Sequence, residues 1–66
     1  MRHFYFIENN TGEEFIVGAT NLAAAKIEAA IIGEEIAATY DYEEADLSYE
    51  YEMTDDEAEA SGLDEF

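Results

Sequence analysis

In Ile36-Ala37-Ala38-Thr39-Tyr40-Asp41-Tyr42 the larger side chains alternate with small or polar ones. On an extended chain, Ile36, Ala38, Tyr40 and Tyr42 share one face, while Thr39, Asp41 and Glu43 share the other. Period-two patterning of this kind marks a strand with one buried and one wet face. Gly33 stands just before the stretch and suits the left-handed residue that ends a helix. The stretch is therefore read as a strand that follows a completed helix.

Working backwards, the helix is expected from about Leu22 to Ile32, capped by Thr20 or Asn21. Ala23, Ile27, Ala30 and Ile31 form its apolar stripe. Four of its first eight residues are alanine, which allows a close approach to a sheet. Before it lies a hairpin. His3–Glu8 is dense in aromatic and β-branched residues, Asn9-Asn10-Thr11-Gly12 is a turn signal, and Glu14–Ala19 is the return strand. The first strand is apolar on both faces, which places it centrally in its sheet.

Working forwards, Glu44-Ala45-Asp46 reads as a turn, and Leu47–Met53 alternates again. Leu47, Tyr49, Tyr51 and Met53 are expected inward, and Ser48, Glu50 and Glu52 outward. Thr54 with Glu57 three residues on forms a capping box, and Asp55, Asp56 and Glu57 complement the helix dipole. Gly62 then ends a short helix over about Asp55–Ser61. The expected fold is α+β, ββαββα, with a four-stranded antiparallel sheet in the order 2-1-3-4. One helix lies across a face and a short helix closes the chain. Residues 1–66 form a single domain, and residues 63–66 are expected to fray.

Charge is distributed unevenly over this frame. Residues 1–40 carry six acids against Arg2 and Lys26; residues 41–66 carry twelve acids and no base, and the whole chain stands at −16. Such an excess repels itself in the compact state, and solubility asks only for a net charge of about 2–8 in a small domain. If residues 36–53 form two paired strands, Asp41 and Glu43 face Glu50 and Glu52 in a two-row grid. Glu44 and Asp46 extend it at the turn, and Asp55, Asp56, Glu57 and Glu59 extend it along the last helix. Alternate strand residues lie about 6.7 Å apart. These ten acids are the candidate partner-binding surface.

Other chemistries find little support. Two bases cannot neutralise a phosphate backbone, so direct nucleic-acid binding is not expected. A calcium loop beginning at Asp41 fails at Ala45, and at Asp46 where glycine is needed, so no metal and no cofactor is assigned. His3 is the sole histidine, and Ser48 and Ser61 have no base near in sequence, so the chain is not read as an enzyme. There is no cysteine, no signal-type N-terminal segment and no apolar run of bilayer length, which fits a cytoplasmic protein away from membranes. Tyr40, Tyr42, Tyr49 and Tyr51 share the inward phase and are expected to pack in the core or at an interface, a dimer face or an inhibitor's contact patch among the alternatives.

The small size, the Tyr/Glu/Asp pattern of residues 40–52 and the acidic run from Thr54 to Phe66 resemble the small acidic proteins of phages and mobile elements. Some of those are DNA mimics that inhibit host nucleases, the anti-restriction and anti-CRISPR proteins. The resemblance implies a stoichiometric inhibitor in the bacterial host cell that occupies the DNA-binding cleft of a basic protein or nuclease complex. Two other readings stand beside it: an acidic interaction module that regulates a basic partner without imitating DNA, and a homodimer formed through apolar sheet faces.

Overall fold

The computed structural model describes all residues from Met1 to Phe66. Two strands, β1 (Arg2–Glu8) and β2 (Glu13–Ala19), form the expected hairpin, with Gly12 at φ +79° in its turn. A long helix follows, α1 (Leu22–Thr39), then β3 (Leu47–Met53) and a second helix, α2 (Asp55–Ser61). The sheet has three strands in the order β2-β1-β3, all antiparallel, with β1 central as its composition demands.

The four-stranded sheet is overturned at residues 36–42. Ile36–Thr39 is the last turn of α1, and Tyr40–Asp46 connects α1 to β3. The alternation of Ile36 and Ala38 is accidental. The spacing that governs is Ala25, Ala29, Ile32, Gly33, Ile36, Ala37, a helical stripe turned to the sheet. Ala25, Ala29, Ile32, Gly33 and Ala37 are buried, whereas the stripe expected from sequence, Ala23, Ile27, Ala30 and Ile31, points to solvent. The helix is apolar on both faces, so periodicity alone named the wrong one.

Gly33 is not a helix terminator. It lies inside α1, and a Cβ there would come within 2.8 Å of both Leu47 methyl carbons. Its role is to let the first residue of β3 sit against the helix. Polyalanine character does the same further along: Ala25 and Ala29 bring α1 onto Phe4, Phe6, Phe15 and Val17.

The other face of the sheet is covered by α2, through a smaller cluster of Ile16, Met53 and Ala58 with Tyr5 and Leu63. After α2 the chain continues along the outer edge of β2. The Ile16 N–H donates to the Asp64 carbonyl at 2.9 Å, and the Phe66 N–H donates to the Ile16 carbonyl at 2.8 Å. The terminal residues, expected to fray, are thus tied in as a parallel bridge, and the Phe66 ring meets Phe15 edge-on at 6.0 Å.

Candidate functional site

The ten candidate acids, Asp41, Glu43, Glu44, Asp46, Glu50, Glu52, Asp55, Asp56, Glu57 and Glu59, are all exposed. They do not form the expected two-row grid, because Asp41 and Glu43 lie in the connector and not on a strand. The acids instead sit on three consecutive elements: the connector, the edge strand β3, and the exposed side of α2, which crosses the sheet face from the end of β3 towards β2. β3 alone spans about 20 Å at 3.3 Å per residue. Asp41 turns the chain out of α1 with φ +64°, a conformation Asp tolerates.

A register shift sets which side chains stand among these acids. Tyr5 pairs with Tyr51 but Phe6 pairs with Tyr49, so Glu50 is an extra residue and β3 is bulged there. One inserted residue reverses the phase. Tyr49 therefore packs with Phe4 and Phe6 beneath α1, while Tyr51 lies on the α2 side, edge-on to Tyr5 at 5.3 Å. Leu47, Tyr49, Tyr51 and Met53 do not share one face. Tyr40, Tyr42 and Tyr51, expected in the core or at an interface, are about half exposed at 53%, 45% and 48%. They stand among the carboxylates, and a phase count that assumes an unbroken strand could not find this.

Bases neutralise few of these acids. Arg2 grips Glu52 with two hydrogen bonds, Nε to Oε2 at 3.0 Å and Nη2 to Oε1 at 2.8 Å, and its guanidinium lies 5.1 Å from the centre of the Phe4 ring. The Glu52 carboxyl is held below its usual range mainly by that hydrogen bond. His3 faces two carboxylates, Nδ1 to Glu65 Oε2 and Nε2 to Asp55 Oδ1, each at 2.6 Å. Both nitrogens must then carry protons, and the hydrogen bonds to Glu65 and then Asp55 push the imidazole pKa up. This single imidazolium ties β1 to the start of α2 and to the terminal segment. Of the ten acids, only Glu52 and Asp55 have a cationic partner.

Two further carboxylates were not singled out by the sequence. Glu8 is fully buried, a position that by itself raises its pKa; hydrogen bonds from the Asp46 N–H, the Thr11 N–H and the Asn10 amide overcome this and hold it low. It fastens the hairpin turn to the end of the connector, and so positions the acids between residues 41 and 46. Glu14 accepts from the Tyr5 hydroxyl, whose pKa is pushed up to about 12, first by that hydrogen bond. Only burial distinguishes Glu8 from the exposed acids, and burial is a tertiary property.

The cavities are shallow and few. One of about 200 Å³ is walled by Phe15, Tyr40 and Phe66 and by the carboxylates of Glu13, Glu14 and Asp64. No three His, Cys, Asp or Glu side chains are grouped to hold a metal ion. No helix is long and apolar enough to cross a membrane. The chain matches no protein-family model, no curated protein and no solved structure.

Proposed function

We propose that the protein is a stoichiometric inhibitor whose acidic surface occupies the basic DNA-binding cleft of a host defence nuclease complex, in the manner of a DNA mimic. Its place of action is then the bacterial cytoplasm. One observation carries the reading: ten exposed carboxylates are set on the connector, β3 and α2 between Asp41 and Glu59, and bases engage only two of them. Basic clefts built to neutralise phosphates offer the complementary charge. This surface is held in place by the Glu8 and His3 bridges and by a capped helix, which lowers the entropy lost on binding.

The exposed tyrosines favour a second reading, an acidic module that grips a basic partner without imitating DNA. Tyrosine is enriched where interfaces bury their central contacts. Competition separates the two. Partners captured from a bacterial lysate should be displaced by duplex DNA if the cleft is shared, with binding that weakens steeply as salt rises. The triple variant Glu50→Lys, Asp56→Lys, Glu59→Lys keeps the Arg2 and His3 pairs and should abolish inhibition with an unchanged circular dichroism spectrum. Loss of binding by that variant, without displacement by DNA, selects the second reading. Unaltered inhibition by it removes both.

A further inference from the structure

The outward face of α1 is unlike the rest of the surface. Ile27 and Ile31 are 70% and 52% exposed, and Ala23, Ala24 and Ala30 are exposed around them. Residues 20–32 carry one acid, Glu28, and one base, Lys26, in a chain that is otherwise dense in acids. An apolar helix face of this length ordinarily has something lying on it. Lys26 is also the one Lys or Arg side chain in the molecule without a carboxylate partner.

Spacing links these facts. Lys26, Ala30 and Glu34 are four residues apart in series and form one ridge along the helix. Reversed end to end, the ridge reads Glu, Ala, Lys, so it complements a copy of itself. An open groove beside it is lined by Ala30, Glu34, Glu43, Glu44, Ala45 and Leu47, with three carboxylates and no base.

We propose that α1 is the interface of a two-fold homodimer, its outward face packed antiparallel against that of a second copy. The two-fold axis passes near Ala30. Lys26 of each copy enters the groove of the other and pairs with Glu34, bordered by Glu43 and Glu44. Ile27 and Ile31 of the two chains interleave, and Ala30 against Ala30 lets the helices approach closely. An interface with the same patch on both subunits is the usual form of a two-fold dimer.

Charge selects this occupant. A basic partner would seek the exposed acids, and a second copy meets least repulsion at this face, where residues 20–32 carry a single acid and the carboxylates of the flanking groove are offered a lysine. α2 lies on the opposite side of the sheet from α1, so pairing through α1 keeps the two sets of α2 carboxylates apart. Glu28 and Glu35 fall on the other flank of the helix, at the solvated rim.

Sedimentation equilibrium of the isolated protein, at about 0.15 M salt, tests this without any binding partner. The wild type should sediment at twice 7.4 kDa. Ile27→Glu and Lys26→Glu should each weaken association at least tenfold, since Lys26→Glu replaces two attractive contacts by two repulsive ones per dimer. Both positions are exposed, so circular dichroism should show the fold retained. The double variant Lys26→Glu, Glu34→Lys should restore association relative to Lys26→Glu alone, though short of wild type because Glu43 and Glu44 border the site. A monomeric wild type, or a dimer indifferent to Ile27→Glu, overturns the proposal. Failure of the charge swap to restore association overturns the pairing. Because no nuclease is present, none of these outcomes depends on the proposed inhibitory function.

Discussion

On the α1 side of the sheet, seven buried apolar residues make one cluster; on the α2 side there are three. The α1 side is held by area and close approach, with Ala25, Ala29 and Gly33 as the contact surface of the helix. The α2 side has little area to bury and is held by directed contacts. Thr54 and Glu57 cap the helix reciprocally, Gly62 closes it with φ +70°, and His3 anchors both Asp55 and Glu65. Each side also carries one titrating bridge on β1: Glu8, in phase with Phe4 and Phe6, and His3, in phase with Tyr5. A small domain can thus dock one helix by packing and another by charge.

The largest expected effect lies on the packed side. Glu8→Gln places an amide N–H against backbone donors in a buried site, and should cost about 2 kcal/mol in urea denaturation. The same site sets the acid limit. The Glu8 pKa is lowered on folding, so its contribution is present above the unfolded value and is lost as pH falls through the folded one. The stability advantage of wild type over Glu8→Gln should therefore shrink as pH falls below about 4.5.

Gly33→Ala comes next. Alanine favours the helix over glycine, but its Cβ meets Leu47, so we expect a net loss of about 1–2 kcal/mol. In a Leu47→Ala background the obstruction is gone and the same substitution should stabilise. A change that stabilised in both backgrounds would mean that the close approach of α1 to β3 is wrong.

On the α2 side, Thr54→Ala removes the cap and should cost about 1 kcal/mol, read as faster amide exchange in α2 with α1 unaffected. The smallest effect is the alkaline counterpart of Glu8. The His3 pKa is raised on folding, so its contribution is complete below about 6.5 and is lost as pH rises through the folded value. Protection factors in residues 55–66, taken against the intrinsic exchange rate at each pH, should fall over that rise, and in His3→Gln they should not change with pH. An equal loss of protection in α1 would show that the two sides are not independent.

Elements defined by neighbouring residues were legible in the chain. The hairpin with its turn at Gly12, the central place of β1, the edge position of residues 47–53, and α2 with its cap and its glycine all follow from signals a few residues long. So did the exposure of the ten acids. The segment from Gly33 to Tyr42 was not legible, since Ile36 and Ala38 satisfy a strand pattern while Ala29, Ile32, Ile36 and Ala37 satisfy a helical one. Propensity in Glu34–Ala38 leans towards helix, and contact with β1 and β2 settles it. Of the four tyrosines only Tyr49 packs inward as expected: Tyr40 and Tyr42 lie in the connector and not on a strand, and a bulge at Glu50, which no local signal marks, turns Tyr51 to the other face.

The sequence by itself determined the charge asymmetry, the turn chemistry and the caps, because each depends on residues close together in the chain. Only the tertiary structure decided which face of α1 is buried, that Gly33 is a contact and not a stop, and that Glu8 is sealed in while ten other acids stay exposed on the connector, β3 and α2. Those outcomes depend on where separate elements meet. A helix apolar on both faces leaves that choice to its neighbours.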